Sequence, residues 1–585
     1  MPSIEEAFQI ALAHHRAGEL AGAEAIYRKI ISIAPDYLDA LRFLAQARLQ
    51  ENDPAEALLL VERGLALDPD YAELHLLHFQ ALGGAGRWEE AAFACRKALE
   101  INADYAAAWD GLGIAKRQCG DFPGAVVAHE RAVALQPEAA GFRHNLGLAF
   151  HLARRTAEAV VQYREVLRLC PDSSETQAAL ARILAKGGEV AEAKRLERAA
   201  KYAEMIKSAK RIMADGDFPQ AVNNFRQSIV IAEDIGEAEC YLGDALFQDN
   251  RLAEAEIAFH AVPPGHACYA NAREGIAFCR LAQGDLEAGW KAWAKRALRL
   301  SFAPLWPRWS GESLAGKSVL VMGEGGIGDE MLFASCLSDL LGQAAGVGLM
   351  CEPRLTKLFS RSFPEIELNT ECAFDFYLPF GDLPILFRRR MEDFPSEASY
   401  LKEDEGLAAN WQVWLDSLGE GKKIGISWRS LNFAAHRRHF YMDLAEWGPI
   451  FAQAGAQFIT LQGGDTADEL AEAERRFGIH IHRPPGLDLV KDIEGQAALV
   501  SGLDAVICPT TMLSVLSAAL GRPTLTFTTD PEPFRFGRAD YPWLLGLRMF
   551  IRPREAGWEG VAEDIAGEIK RIQCSAQVLY CSYSK

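Results

Sequence analysis

The residues best suited to chemistry lie in four short stretches of the C-terminal half. The first is Gly323-Glu324-Gly325-Gly326-Ile327-Gly328-Asp329. Its glycines (Gly325, Gly326 and Gly328 above all) let the backbone approach a ligand closely, and it delivers Asp329 to the start of an amphipathic stretch, MLFASCLSDLL. An aspartate there acts either as a helix cap or as a proton acceptor. We read the loop as neither a dinucleotide-binding turn nor a GxxxxGK[ST] loop, so hydride transfer and P-loop chemistry lose support. The second stretch is Pro509-Thr510-Thr511-Met512, ahead of the helical LSVLSAALG. Free N–H groups and two hydroxyls at a helix start suit a diphosphate, and equally a plain threonine cap. Ser427-Trp428-Arg429 and Gln462-Gly463 close two further apolar runs.

Strands must hold these stretches in place. Short apolar runs suited to buried parallel strands occur at 318–322 (SVLVM), 347–351 (VGLMC), 374–379 (FDFYLP), 424–428 (IGISW), 458–462 (FITLQ), 505–509 (AVICP) and 524–527 (TLTF). Helical stretches separate them, one containing Trp411 and Trp414. The alternation predicts doubly wound parallel sheets in an α/β region, arranged as two Rossmann-like lobes. We place the N-terminal lobe at 316–410, the C-terminal lobe at 411–572 and a tail at 573–585. All four stretches then fall at strand ends, where ligands bind in such sheets.

The N-terminal half has a different period. Alanine recurs every 34 residues at Ala23, Ala57, Ala91, Ala125, Ala159 and Ala193. Larger side chains follow (Tyr27, Val61, Tyr163), and a proline stands twelve residues on in four units: Pro35, Pro69, Pro137 and Pro171. Trp109, Leu112 and Gly113, then Leu146 and Gly147, hold the matching places upstream. Position by position this resembles the tetratricopeptide repeat, an α-solenoid of helical hairpins. The small residues mark close helix approach, and the prolines end the second helix. The phase slips after Ala193, since Ala221 follows too soon, and resumes at Ala255 and Gly289 with Leu242 and Gly243 in place. We therefore expect two blocks, 1–200 and 201–300, joined by an irregular helix around KRLERAAKYAEMIKSAKR. Such an array offers a concave surface to an extended peptide or a protein partner; pure assembly is the alternative.

Composition limits the function classes. The chain has 585 residues, 49% hydrophobic and 24% charged, with a formal net charge of −19. That charge repels phosphate backbones and argues against a nucleic-acid partner. No apolar run is long enough to span a bilayer, and the acidic N-terminus does not read as a signal peptide. The twelve cysteines are scattered without a CxxC pair, as in reduced cytoplasmic proteins.

The segments GEGGIGDEMLFASCL, IGISWRS, FITLQGGD, LDAVICPTTMLSVLSAALGRPT and DYPWLLGLRMFIRP, in that order, resemble a GT-B glycosyltransferase. More narrowly, the chain is similar to bacterial tetratricopeptide-repeat proteins with a heptosyltransferase-related C-terminal domain. The architecture also resembles protein O-GlcNAc transferases, and the nearest subgroup is the flagellin glycosyltransferases. The resemblance implies a protein O-glycosyltransferase that moves a sugar, a nonulosonic acid in that subgroup, from a nucleotide donor to Ser or Thr of a captured protein such as flagellin. It implies Asp329 as general base. Ser427, Trp428, Arg429, Gln462, Thr510 and Thr511 fall on the donor side, and Arg429, Arg437 and Arg438 offer cations to the leaving phosphate. Enzymes of this type need no metal, and no cofactor is expected; Asp68-Pro69-Asp70 reads as a repeat turn. One departure stands out. Many relatives carry Asp-Thr and a following histidine where this chain has Thr510-Thr511 and Val515, which suits either a different donor or a non-catalytic adaptor with a vestigial domain.

Overall fold

A computed structural model describes residues 3–16, 18, 20–298, 300, 304–368, 373–395, 399–430, 435–453, 455–553 and 556–574, without the side chains of 435–437, 573 and 574. The chain divides into two compact units, Met1–Glu204 and Met205–Lys585. Among the described residues, no helix is long and apolar enough to cross a membrane.

Among the described residues, seventeen helices precede the first strand. The repeat alanines explain their pairing: Ala23, Ala57, Ala91, Ala125 and Ala159 are fully buried. Four residues later comes the side chain that fills the hairpin, such as Tyr27, His129, Tyr163 or Phe259, also fully or almost fully buried. The first-helix glycines make room for it. A β-carbon on Gly113, Gly147 or Gly243 would come within 2.5, 2.7 and 2.5 Å of the rings of His129, Tyr163 and Phe259. Second helices end at Ile33, Leu67, Leu135 and Leu169, two residues before the prolines. Asp68-Pro69-Asp70 is a turn, with the Asp70 N–H donating to the Asp68 carboxylate at 3.1 Å.

The expected irregular helix is instead regular. Val190–Ala214 is one helix of 25 residues. It contains neither glycine nor proline, and Met205 stands where the 34-residue period would place the terminating proline. A second helix and the next first helix are thereby fused. With the short turn at 215–217, this accounts for the early arrival of Ala221.

The second unit carries two sheets, parallel throughout. The first consists of β1 (Ser318–Met322), β2 (Gly346–Met350), β3 (Glu367–Leu368) and β4 (Phe376–Pro379), in the order β3-β2-β1-β4. The second consists of β5 (Lys422–Ile426), β6 (Ala456–Thr460), β7 (Ile481–His482), β8 (Ala505–Pro509), β9 (Thr524–Thr529) and β10 (Leu547–Arg552), in the order β10-β9-β8-β5-β6-β7. Counting from β5, that is the 3-2-1-4-5-6 winding of doubly wound folds. The strands β8 and β9 are buried throughout, as parallel strands with helices on both faces must be. The short strands β3 and β7, and the edge strand β10, have no counterpart in the sequence expectation. The last helix runs Glu559–Cys574, and the rest of the expected tail lies outside the described residues.

Candidate functional site

In each sheet the strand order reverses once, between β1 and β4 and between β5 and β8. At such a point neighbouring loops diverge and leave a crevice. The two crevices are built differently.

At β1/β4 the chain fills the crevice itself. The helix Leu286–Trp293 closes the second repeat block, and Trp293 occupies the hairpin-filling place four residues after Gly289. Its indole N–H donates to the Gly381 carbonyl at 2.7 Å, and the Trp290 indole to the Arg388 carbonyl at 2.8 Å. Beyond them Arg296, 2% exposed, donates to the Asp382 carboxylate at 2.9 Å and forks onto Glu324, with Nε to Oε1 at 3.0 Å. Arg308 closes the network on Asp382 at 2.7 Å. Glu324 follows β1 and Asp382 follows β4, so this arginine holds both strand ends. Sequence reasoning missed the network; an acidic residue placed among glycines at a buried strand end was the available signal.

The loop at 323–329 packs tightly. Gly325 has φ +86°. The Asp329 carboxylate accepts from the Gly326 N–H at 2.9 Å, so it caps its own helix, Ile327–Phe333. Contrary to the expectation from sequence, Gly323, Gly325 and Gly328 do have the G-x-G-x-x-G spacing of dinucleotide-binding turns, so spacing alone does not set hydride transfer aside. Here those glycines serve packing. A β-carbon on Gly323 would lie 2.5 Å from the Glu330 carboxylate, and one on Gly328 3.4 Å from Met512 Cα. With two carboxylates on the turn, a pyrophosphate has no place there. Glu330 is buried and accepts from the Glu352 N–H at 2.9 Å; burial pushes its carboxyl up to about 7.

At β5/β8 the predicted residues converge. Ser427, just past β5, donates its N–H to the Ile507 carbonyl of β8 at 2.9 Å. One oxygen, Gln462 Oε1, accepts from the Ser427 hydroxyl at 2.9 Å and from the Trp428 and Arg429 N–H groups at 3.1 and 3.0 Å. Gln462 therefore shapes the loop after β5. The Arg429 guanidinium forks onto Glu469 at 3.0 and 2.9 Å, which partly neutralises the cation expected for phosphate. Thr511 caps Met512–Ala519, its N–H donating to the Ser514 hydroxyl at 3.2 Å. Thr510 Oγ1 is buried without a partner among the described residues. Such an atom in a crevice points to a missing partner. Val515 is buried in the same helix. Arg438 is exposed, and the Arg437 side chain lies outside the described residues.

The contact of Gly328 with Met512 sets the two helix starts side by side, so Asp329 lies near the Thr510–Thr511 turn. A residue missed from sequence joins them. Glu532, after β9, is pushed up to about 7 by burial, with Asp530 and Asp329 adding to the shift. The Tyr541 hydroxyl is raised by burial, then by Glu532 and Asp329. Asp329, Glu532 and Tyr541 thus share one electrostatic environment. A cavity of about 700 Å³ lies elsewhere, along β10 and the last helix, and contains none of the predicted residues.

Comparison with known proteins defines first the class. Tetratricopeptide-repeat models match residues 14–80, 111–174 and 206–265. The chain is also 30% identical over 521 residues to Protein FlbA of Caulobacter vibrioides (strain ATCC 19089 / CIP 103742 / CB 15), covering 82% of this chain and 86% of that protein. It belongs to the FlbA family. Among solved structures, MamA is 22% identical over 29% of this chain and 94% of its own, with a TM-score of 0.26. The type IV pilus biogenesis factor PilW is 19% identical over 33% of this chain and 90% of its own, with a TM-score of 0.32.

Proposed function

We propose that this chain is a cytoplasmic protein O-glycosyltransferase of GT-B type, in which the repeats capture a protein acceptor and the α/β half carries the transfer site. The observation that carries the reading is the second sheet's crevice. The doubly wound order, a helix start whose Thr510 hydroxyl has no partner among the described residues and a loop braced by Gln462 together suit the phosphate of a nucleotide sugar. The acceptor hydroxyl oxygen attacks the anomeric carbon, the bond from that carbon to the donor phosphate breaks, and the proton passes to a carboxylate. Asp329 is the base the resemblance implies. Glu532, with a carboxyl near 7, is a second proton acceptor in the same environment. The helix start at Thr511 and Arg429 offset charge on the departing phosphate. Flagellin as acceptor and a nonulosonic acid as sugar rest on the sequence resemblance alone.

The test is an intact-mass measurement of a flagellin-like acceptor mixed with the chain and candidate nucleotide sugars. A one-sugar increase, lost in Asp329→Ala or Glu532→Gln, is the expected result. No increase with any donor sinks the reading. A non-catalytic adaptor is favoured by two observations, the Asp329 carboxylate spent on its own helix cap and Arg429 on Glu469. In that case CMP, UDP, GDP and ADP all leave the melting temperature unchanged.

A further inference from the structure

In the first unit, four large apolar side chains stand in water at one place in the repeat: Leu59, Phe93, Val127 and Val161 are 67%, 56%, 63% and 62% exposed. They are spaced by the repeat length, each two residues after a buried repeat alanine. Two residues turn a helix through about 200°, so this position faces directly away from the hairpin core. Single exposed apolar residues are ordinary. Four in successive repeats form a continuous stripe along the outer face of the second helices, and repeat packing gives no reason for it. The stripe is bounded, since the same position reads Ala25 before it and Arg195 after it.

Charge flanks the stripe asymmetrically. One turn towards the helix N-termini lie Glu56, Glu89, Glu90 and Glu158; one turn towards the C-termini the cations Arg63, Arg96, Lys97, Arg131 and Arg164 outweigh the carboxylates Glu62, Glu130 and Glu165. The flanks thus differ in net sign, although Glu90, Glu158, Arg131 and Arg164 also pair with Arg87, Arg155, Asp104 and Glu192 of their own chain. We propose that this face is where a second copy of the chain docks, with a two-fold axis running along the stripe. Rotation about that axis brings the glutamate side of each copy against the arginine side of the other and sets each apolar residue against its own equivalent. The opposite arrangement, with the axis across the stripe, would face arginine with arginine. An identical copy is also a partner whose apolar residues recur with the same period. The size fits: four helices about 21 Å long and about 10 Å apart present about 800 Å² per partner, the area of a standard stable interface.

Sedimentation of the full chain at about 1–50 µM tests this. The expected species has twice the 64.3 kDa chain mass. Leu59→Glu with Val127→Glu should weaken association at least about ten-fold without lowering the melting temperature, because both sites are exposed. The orientation is tested by Val127→Cys in a background whose exposed cysteines are serine: mild oxidation should link the two introduced thiols. A monomeric wild-type chain, a dimer indifferent to the double substitution, or no cross-link at position 127 would each overturn the proposal. The first of these outcomes would leave the stripe to a foreign partner.

Discussion

The two strand-order reversals of the second unit make a natural pair. Both sit at the carboxyl ends of parallel strands, and both adjoin the start of a helix. At β1/β4 the crevice holds Arg296 from the end of the repeats, satisfied by Glu324 and Asp382. At β5/β8 the loop is braced by Gln462, and the buried Thr510 hydroxyl has no partner among the described residues. The difference teaches that a doubly wound sheet supplies a crevice without saying what fills it. One crevice here is filled by the end of the repeats; in the other, among the described residues, a buried polar atom stays unsatisfied.

The sharpest way to break this contrast is to remove the filler. Arg296→Met leaves Glu324 and Asp382 buried without their cation, and should cost about 3–5 kcal/mol in urea unfolding of the full chain. A loss below about 1 kcal/mol would mean that the network is ornamental and the two crevices equivalent. The next effect concerns pH. Glu330 holds its proton to about 7 in the folded chain but to its ordinary 4.5 when unfolded. Between these values the folded state binds more protons, so stability falls as pH rises through the window and is level above it. Glu330→Gln keeps an acceptor for the Glu352 N–H and removes this slope. It should gain on the order of 2 kcal/mol relative to wild type at pH 8 and about nothing at pH 4. A parallel pair of stability–pH curves would contradict the assignment. The smallest effect on stability lies in the other crevice. Thr510→Val removes a hydroxyl with no partner to lose, so the unliganded chain should change by less than about 1 kcal/mol or become more stable. The same variant should abolish whatever thermal stabilisation the best of CMP, UDP, GDP and ADP gives the wild type. Undiminished stabilisation would move the ligand away from Thr510.

Much of the architecture was legible beforehand because it rests on local rules. The 34-residue period located the hairpins, since successive repeats solve a similar packing problem with Ala, a filling side chain four residues on and, at Gly113, Gly147 and Gly243, a glycine opposite. Proline located the helix ends, and its replacement by Met205 explains a fused helix that the phase slip alone did not reveal. The apolar runs located seven of the strands. The two-residue strands β3 and β7 were missed because too few residues remain to display a pattern. At the site, Gln462 and Ser427 were picked out by position at strand ends, but their bond to each other was not visible, nor was the diversion of Arg429 to Glu469. Glu532 went unnoticed because a carboxylate becomes unusual only through its surroundings.

By itself, then, the sequence determined the repeat, its phase break, the parallel sheets and the loops that end their strands, because these follow from periodicity and from the backbone limits of Gly and Pro. Only the tertiary structure decided which crevice the chain fills with its own arginine. Arg296 meets Glu324 and Asp382 across 28 and 86 residues of chain. A period reports which face of an element is buried, and it says nothing about which distant charge will be buried against it.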